Sequence, residues 1–325
     1  MACNWQPLID LVARGRRFLL TTHVRPDGDG LGSMKAFAAG LRQQGKEVAL
    51  IIPSSTLPGR YDFLDPDKEF TPFALSMEQQ RQADTIVVLD TGTWNQLADM
   101  ADFVRQSPAQ KAVIDHHLTQ DDLGAIRFVD TGAEATGRLV HEALVALGAK
   151  LTPDAATAIF VALAMDTGWF RHSNTTPRTF ALAAELVSAG AQPPFLYEKL
   201  FERSSLGRLK LTGLVLGRLT LAENGRVAHS CIRKTDYSAT GSIPPDSEDL
   251  VNWTLGIAGV EVGLLFMEQP AGGIKISFRS RGAVDVARLA QQFGGGGHAA
   301  AAGAISQGEL EAVRDRVLAA LAQVM

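Results

Sequence analysis

Two short segments of the sequence hold the residue types that bind metal ions. The first is TTHVRPDGDGLGS, residues 21 to 33, which begins at the carboxyl end of the apolar stretch RFLLT and contains His23, Asp27 and Asp29. The second is KAVIDHH, residues 111 to 117, which ends in two adjacent histidines after the apolar stretch AVI. Ligands that stand where buried strands end can converge on one cleft. The two segments therefore predict a site for two metal ions that hydrolyses phosphate esters.

The spacing within the first segment suggests how its ligands come together. The offsets from His23 to Asp27 and Asp29 are all even, so a locally extended backbone would turn the three side chains to one side. Gly28 and Gly30 permit tight turns between the ligands, and the following helix can aim its N-terminal amides at an anion. The alternative is a loop in which Asp27 and Asp29 cap a helix and His23 is a surface residue.

Two other strand ends carry candidate ligands. Asp90 closes TIVVLD, and an ionised carboxylate beside such a buried strand is costly unless it is paired or bound to a metal. Strand-ending aspartates also cap the next helix or turn, which is the alternative for Asp90. Asp115 is followed by His116 and His117, which would offer one imidazole to a metal ion and the other to substrate. The alternative is that both histidines are exposed turn residues.

Asp166 lies at the end of an Ala-rich helical pattern, within AMDTGWFRHSNTTPRTF. A helix C-terminus is an electrostatically poor place for an isolated carboxylate, which favours a bound cation there. Asp166 would equally suit a cap for the turn that Gly168 makes. His172 is interpreted as a supporting or surface residue rather than a ligand.

The elements that must position these residues follow a β-then-α rhythm in the first half of the chain. The apolar segments RFLLTT, EVALII, TIVVLD and KAVID alternate with helical patterns such as SMKAFAAGLRQQG. This rhythm predicts an α/β fold with a mostly parallel sheet and helices on both of its faces. The ligand site of such a sheet lies beyond the carboxyl ends of the strands, where His23, Asp90 and Asp115 each stand.

The second half of the chain predicts a different domain. Three helical patterns after Asp115 complete a first domain, residues 1 to 190. Residues 191 to 210 begin with a Pro pair and become charged and helical, which suits a linker helix more than a core element. From about Leu211, the strand-like LGRLTLA, RVAHSCI, VEVGLLFME and GIKISFRS, with the helical segment DSEDLVNWTLGIA, predict a smaller α/β domain with a mixed sheet, residues 211 to 325.

Length and composition restrict the function further. A chain of 325 residues with 46% hydrophobic content fits two compact domains. The net charge of −4 and the pI near 6.0 argue against an extended surface for nucleic acid, so a nucleotide substrate should be short and held locally, and no long duplex is expected. The two distant cysteines, Cys3 and Cys231, favour a reducing compartment. Without a secretory pattern or an apolar run near ~20 residues, we expect a cytoplasmic protein that is not in a membrane.

A glycine-rich segment in the second domain is the other candidate site. Four consecutive glycines, Gly294 to Gly297, precede His298, and FRSRG supplies Arg279 and Arg281. Backbone amides at Gly295, Gly296 and Gly297 can approach a phosphate without side-chain obstruction, while the histidine and the arginines add donors. The alternative is that the glycines form a flexible turn.

Together, HVRPDGDG, VVLD, IDHH and AMDTG, followed by FRSRG and FGGGGHAAAAG, resemble the DHH phosphoesterase superfamily, and specifically its two-domain nanoRNase and pAp phosphatase branch, related to the RecJ nucleases. The resemblance runs from about Thr21 to Gly303, with the motifs in family order.

The resemblance implies a ligand set and a cofactor. One metal ion would be held by His23, Asp27 and Asp90. The second would be held by Asp29, Asp90, His116 and Asp166, so that Asp90 bridges the two ions. Asp115 would support the site from behind, and His117 would contact the phosphate or the leaving group. Both the donor types and family usage point to two divalent ions, most simply Mn²⁺, with Mg²⁺ or Co²⁺ as alternatives. Arg279, Arg281 and His298, with the glycines, would bind substrate.

The leading hypothesis is an enzyme that degrades very short single-stranded oligoribonucleotides to mononucleotides, removes the 3′-phosphate from 3′-phosphoadenosine 5′-phosphate (pAp), or does both. A phosphodiesterase for cyclic or linear dinucleotides is the enzymatic alternative. A sensor that binds nucleotide without turnover is an alternative from another class. The sequence leaves the direction of attack and the oligomeric state open, and a homodimer is one expected partner arrangement.

Overall fold

The computed structural model describes residues 3 to 325 and divides the chain into two compact units between Arg203 and Ser204. The expected linker, residues 191 to 210, spans this boundary. Its first part forms a helix, Pro193–Phe201, that lies in the first unit and buries Leu196 and Leu200 in the core. This segment therefore packs as a core element.

In the described part of the first unit, six strands and nine α-helices follow one another. The strands are β1 Arg17–Thr21, β2 Glu47–Ile52, β3 Phe70–Pro72, β4 Thr85–Leu89, β5 Gln110–Asp115 and β6 Ile126–Val129. The helices are α1 Gln6–Arg14, α2 Gly28–Gln43, α3 Met77–Gln82, α4 Trp94–Leu97, α5 Met100–Gln106, α6 Thr136–Ala146, α7 Pro153–Asp166, α8 Pro177–Ser188 and α9 Pro193–Phe201, with 3-10 turns at Gly59–Leu64 and Phe73–Leu75.

The sheet of the first unit is parallel at every pairing, in the order β3-β2-β1-β4-β5-β6. The chain starts in the middle of the sheet, moves outward to β3 and returns to place β4 on the other side of β1. The crevice of an open parallel sheet forms where the strand order reverses in this way, beyond the carboxyl ends of the strands. The ends of β1 and β4 are therefore the expected position of a site.

Both faces of this sheet are covered, as the sequence predicted. Phe18 and Leu20 of β1 belong to one apolar cluster, while Leu19 between them belongs to the other. Successive strand residues point to opposite faces, so these clusters lie on the two sides of the sheet. Helices α2, α6 and α7 contribute to the first cluster, and α5 contributes Met100 and Val104 to the second.

Helices α2 and α7 approach each other more closely than side chains would permit. A Cβ atom at Gly32 of α2 would lie 2.3 Å from the main-chain oxygen of Ala158 in α7. The contact therefore requires a glycine, because any side chain would push the two backbones apart. It joins the helix that begins beside Asp27 to the helix that ends at Asp166.

The described residues of the second unit form a mixed sheet with four α-helices. Its strands are β7 Thr220–Ala222, β8 Val227–Ile232, β9 Val262–Glu268, β10 Ile274–Ser280, β11 Gly296–His298 and β12 Ala301–Ser306. Its helices are α10 Leu206–Gly217, α11 Lys234–Thr240, α12 Val286–Gln291 and α13 Leu310–Ala322, with 3-10 turns at Glu223–Gly225, Pro244–Ser247 and Leu250–Gly256. The order is β11-β12-β10-β9-β8-β7, and only β8 and β9 run parallel. The predicted mixed sheet is confirmed.

Several local predictions for the second unit were wrong. LGRLTLA was expected to be a strand, but α10 continues to Gly217 and the strand is only Thr220–Ala222. Buried Leu211 and Val215 explain the difference, because they extend the helical apolar face into this segment. DSEDLVNWTLGIA contains no α-helix, only the end of the 3-10 turn Pro244–Ser247 and the 3-10 turn Leu250–Gly256. The short helix Lys234–Thr240 was not predicted.

Among the helices of residues 3 to 325, none has both the length and the apolar character that a membrane span requires.

Candidate metal centre

The first ligand pair lies where β1 ends and α2 begins. Asp27 is the N-cap of α2, and its Oδ1 accepts hydrogen bonds from the amides of Asp29 at 3.0 Å and Gly30 at 3.1 Å. The same Oδ1 lies 3.6 Å from His23 Nε2. The N-cap starts the helix at Gly28 and places Asp29 in its first turn, so a helix start rather than an extended backbone brings these side chains together. Asp27 therefore caps the helix, and its position beside His23 leaves the ligand interpretation open.

Asp90 follows β4 and lies between His23 and His116. Its Oδ2 is 3.5 Å from His23 Nε2, while its Oδ1 is 3.7 Å from His116 Nε2 and accepts a hydrogen bond from Thr136 Oγ1 at 3.0 Å. The residue is buried and has a φ of 64°. A left-handed backbone is tolerated by aspartate, but it is uncommon outside glycine and occurs often at functional sites. The two carboxylate oxygens thus face two different neighbours.

Asp29 is almost fully buried and is held by the start of another helix. Its Oδ2 accepts from the Thr136 amide at 2.7 Å and its Oδ1 from the Gly137 amide at 2.8 Å, both at the N-terminus of α6. Unpaired amides and the dipole at a helix N-terminus stabilise an anion there. Asp29 Oδ2 is also 3.7 Å from His116 Nε2.

His116 gives the most direct sign that a cation belongs here. Its Nδ1 lies 3.0 Å from the carbonyl oxygen of Ala133, an acceptor, so Nδ1 carries the proton and Nε2 has a free lone pair. That Nε2 is buried without a hydrogen-bond partner among the described residues. Carboxylate oxygens of Asp29, Asp90 and Asp166 lie 3.4 to 3.7 Å from it. Such an arrangement of acceptors around a lone pair is unfavourable unless a metal ion or a proton lies between them.

Asp166 is the last residue of α7, as the helical pattern predicted. Its Oδ2 is 3.4 Å from His116 Nε2. The carboxylate at this helix C-terminus, an electrostatically poor position for it, therefore lies among the other candidate ligands. His172 does not join the cluster. Its ring instead packs over Gly168, and its Nδ1 is 3.4 Å from the main-chain oxygen of Asp166.

Within residues 3 to 325, three groups of side chains have donor atoms close enough to share an ion. They are His23 with Asp27 and Asp90, Asp29 with His116 and Asp166, and Asp90 with His116 and His117. We call the six residues His23, Asp27, Asp29, Asp90, His116 and Asp166 the metal centre. Imidazoles with carboxylates and no thiolate suit divalent ions such as Mn²⁺ better than a structural zinc. The donor set therefore fits divalent metal ions.

The carboxylates of the metal centre repel one another. Burial, followed by the negative charges of neighbouring aspartates, raises the pKa of Asp29 and that of Asp90 well above their usual value. Burial likewise raises the pKa of Asp166. Burial also acts on Asp27, but hydrogen bonding to His23 and the charge of that histidine outweigh it and lower the Asp27 pKa. Ionising these carboxyl groups together is therefore unfavourable without a positive charge nearby.

Addition of Mn²⁺ should raise the melting temperature, and by more at about pH 8 than at about pH 5.5. The pKa values of Asp29, Asp90 and Asp166 are raised in the folded chain, so without metal the folded chain holds protons that the unfolded chain has already released. The free energy of unfolding therefore decreases as the pH rises from the unfolded to the folded pKa values. Metal replaces those protons, and at a hundredfold excess over Kd it would add about 2.7 kcal/mol. Thermal melts with Mn²⁺ or with EDTA measure this. An equal or smaller shift at high pH would contradict it.

Asp115, which is not a proposed ligand, forms a hydrogen bond with His117 next to the metal centre. Asp115 is fully buried, and its Oδ1 accepts from the amide of His116 at 2.8 Å and from Nδ1 of His117 at 2.8 Å. The Asp115 hydrogen bond is the main reason that the pKa of His117 is raised. With Nδ1 bonded to Asp115 and 54% of the side chain exposed, His117 presents its Nε2 to solvent.

In the second unit, Arg279 and His298 lie on one face of the sheet. Arg279 pairs with Ala301 across β10 and β12, and Ala301 pairs with His298 across β12 and β11. Residues opposite one another in antiparallel strands point to the same face, so Arg279 and His298 flank the small Ala301. A surface with two donors around a small side chain can accept an anion.

Other predicted residues of this segment have structural contacts. Arg281 donates from Nε to Val260 O at 3.1 Å and from Nη2 to Leu255 O, so its guanidinium already has main-chain partners. The Gly295 amide donates to Ala290 O at 2.9 Å. Cβ atoms at Gly295 and Gly297 would lie 2.1 Å from Gly303 O and 2.6 Å from Ala301 O, respectively, so both positions require glycine to pair with β12.

Sequence reasoning did not identify the residues that support the metal centre from α6 and from the loop after β5. Thr136 bonds to both Asp29 and Asp90, Gly137 bonds to Asp29, and Gln120 bonds to Asp115. Two of these contacts are made by main-chain amides, which no residue type reveals. The available signal was a helix start after a strand, in VDTGAEATG, where amides can converge on an anion.

Models of known families match two parts of the chain. The DHH family, N-terminal domain, matches residues 17–165, and the DHHA1 domain matches residues 234–325. These matches fall in the first and second units, respectively.

Proteins with assigned names are similar along nearly the whole chain. A Thermus thermophilus protein named bifunctional oligoribonuclease and PAP phosphatase NrnA is 31% identical over 309 residues, covering 93% of this chain and 88% of that protein. A Bacillus subtilis protein of the same name is 31% identical over 320 residues, covering 97% and 96%. Among solved structures, an exopolyphosphatase-related protein from Bacteroides fragilis has a TM-score of 0.90 at 28% identity, covering 98% of this chain and 94% of that one.

Proposed function

Because the chain belongs to the DHH family, we propose that it is a divalent-metal-dependent phosphoesterase that hydrolyses short oligoribonucleotides to mononucleotides, pAp to AMP, or both. The observation that carries this proposal is the buried Nε2 of His116 among three carboxylates, an arrangement that a divalent cation at the carboxyl edge of the sheet would satisfy. The names of the two relatives supply the substrate classes.

We assign two ions to the metal centre. The first would be held by His23, Asp27 and Asp90, and the second by Asp29, Asp90, His116 and Asp166. The support for two ions is that Asp90 directs Oδ2 toward His23 and Oδ1 toward His116. Mn²⁺ fits this donor set, and Mg²⁺ or Co²⁺ are the alternatives.

When bound, such ions polarise the phosphoryl group and make water nucleophilic at neutral pH. The chain supplies the rest of the site. Asp29 and Asp90 are held in place by the start of α6, and therefore need little reorganisation. His117, which is not among the proposed ligands, directs Nε2 outward while Nδ1 is bonded to Asp115. We assign His117 to the substrate, where it steadies or protonates the departing oxygen.

For the second unit we propose nucleotide binding. Arg279 and His298 are the donors on either side of Ala301, and Gly296 and Gly297, which pair with β12, add no side chain that would obstruct a phosphate on this surface. Arg279 Nε bonds to Asn252 Oδ1 at 3.0 Å and its Nη1 to Phe278 O, so its side chain is already oriented. Arg281 and Gly295 would contribute mainly by holding this surface in shape.

The test is a product time course with Mn²⁺ on di- to pentaribonucleotides, pAp, and cyclic and linear dinucleotides. We expect mononucleotides from the oligonucleotides, AMP from pAp, or both. Preference for a cyclic dinucleotide would identify the alternative phosphodiesterase, and tight binding without product would identify a sensor. Arg279→Ala should raise KM by about tenfold, with unchanged metal content, since a hydrogen bond to a charged group contributes about 1.5 kcal/mol or more. Loss of metal in that variant would show that the second unit has another role.

A cytoplasmic location, the absence of long-duplex binding and a homodimer stay predictions. Cys3 and Cys231 are free thiols, which supports a reducing compartment.

A further inference from the structure

Gln120 contacts the Asp115 oxygen that the His117 ring leaves free. Its side-chain Nε2 donates to Asp115 Oδ2 and, at 3.1 Å, to the main-chain oxygen of His117. Both partners are acceptors, so the orientation of the amide group is determined, with its NH₂ toward the site. One side chain therefore holds both the carboxylate and the main chain next to it.

The two oxygens of Asp115 have separate partners. Oδ2 accepts from Gln120, while Oδ1 accepts from the His117 ring at 2.8 Å and from the main-chain amide of His117 at 3.2 Å. Because the two oxygens belong to one planar group, the donor that holds Oδ2 also sets the direction in which Oδ1 faces the imidazole. Removing that donor would leave a fully buried carboxylate oxygen without its hydrogen bond.

Gly92 provides the space for this amide. A Cβ atom at Gly92 would lie 1.8 Å from Gln120 Oε1 and 2.7 Å from its Nε2. Gly92 is not among the glycines with positive φ, so its backbone does not itself require glycine. The two segments are also joined by a hydrogen bond from the Asp121 amide to Gly92 O at 2.8 Å. The methyl group of an alanine would therefore displace the end of the Gln120 side chain rather than strain the backbone.

We propose that Gln120, in the space left by Gly92, is a positioning residue that holds the Asp115 carboxylate and thereby keeps Nδ1–H of His117 bonded to Asp115. Nε2 is then the nitrogen that faces the departing oxygen of the substrate and, in the imidazolium form, carries the proton that this oxygen takes up. The inference rests on the proposed function for the identity of the substrate. The contacts from Gln120 to Asp115 and from Asp115 to His117 stand without it.

The first test replaces the amide by a side chain of similar length that cannot donate, Gln120→Met. In ¹⁵N spectra of the histidine rings, recorded with Mg²⁺ at a pH high enough for the ring to be neutral, wild-type protein should show His117 with its remaining proton on Nδ1. The variant should show a mixture of tautomers, with unchanged metal content. Turnover of a dinucleotide should fall by roughly tenfold, the lower end for groups that orient a site residue. Turnover of the p-nitrophenyl ester of a nucleoside 5′-monophosphate, whose leaving group needs no proton, should fall by less than about twofold.

Gly92→Ala tests the same arrangement without replacing Gln120. Like Gln120→Met, it should give a mixture of His117 tautomers and lower the turnover of a dinucleotide. Gln106→Met, at an exposed position at the end of α5, is the matched control for the first variant. Gly213→Ala in α10, where a Cβ atom meets nothing within 4 Å, is the control for the second. Both controls should match wild type.

A double-mutant cycle separates positioning from a general structural effect. If Gln120 acts through His117, Gln120→Met should reduce dinucleotide turnover by less than about twofold in a His117→Ala background, because the shared interaction is already absent. An equal loss in both backgrounds, an unchanged tautomer in Gln120→Met, or a loss of metal would overturn the inference. If wild-type protein hydrolyses none of the substrates, the proposed function fails, and the ring spectra alone then decide the role of Gln120.

Discussion

Replacing Asp90 with asparagine should reduce turnover by roughly a thousandfold or more, because polarisation by a metal ion contributes several kcal/mol and each 1.36 kcal/mol is a factor of ten. Asp90 is the one member of the metal centre whose two oxygens face two different histidines, at 3.5 and 3.7 Å. Loss of its charge should weaken both proposed ions together. Asparagine tolerates the left-handed backbone at this position, so the fold should be retained.

The measurement is turnover of a dinucleotide together with the number of ions bound per chain by elemental analysis. Asp67→Asn, at an exposed position with no role in the site, is the matched control and should keep wild-type turnover and metal content. An Asp90→Asn variant that retains full metal content and more than about a tenth of the activity would exclude the bridging position.

Replacing His117 with alanine should lower dinucleotide turnover by about 10²- to 10⁴-fold, the usual contribution of a general acid or base. The imidazole is held by Asp115 at Nδ1 and is half exposed, so the nitrogen available to substrate is Nε2. The metal content should not change, since none of the proposed ligands is lost.

The leaving group shows which oxygen His117 contacts. If the residue serves the departing oxygen, His117→Ala should have much less effect on a p-nitrophenyl ester than on a dinucleotide. Equal losses on both substrates would place His117 on the transferred phosphate instead. A loss of bound metal would mean that His117 is a ligand, as its proximity to Asp90 and His116 allows.

The strand ends that carry the metal centre could be predicted from sequence because the signal is local. RFLLT, TIVVL and KAVID are apolar runs that end at a polar residue, and β1, β4 and β5 end where the runs do. The short strands Phe70–Pro72 and Ile126–Val129 were not predicted. They are edge strands of three and four residues, and pairing with β2 and β5 rather than their own composition makes them strands.

The environment of the predicted ligands could not be derived from local pattern. Asp29 is stabilised by amides that lie more than a hundred residues away in sequence, at Thr136 and Gly137. The sequence allowed Asp27 to be either a helix cap or a ligand, whereas the geometry permits both, because one oxygen accepts two amides and also faces His23. Residue types and spacing indicate which side chains take part, but the burial and shared contacts depend on the whole fold.

The close contact at Gly32 has a consequence for the choice of ion. Asp29 belongs to α2 and Asp166 to α7, and the spacing of these helices is limited by the main chain of Ala158. If Asp29 and Asp166 hold one ion, the distance between their carboxylates limits the size of that ion. This distance depends partly on the spacing of the two helices. Ca²⁺ is larger than Mn²⁺ and prefers longer bonds. We infer that discrimination between these two cations depends in part on Gly32, a residue that binds neither ion.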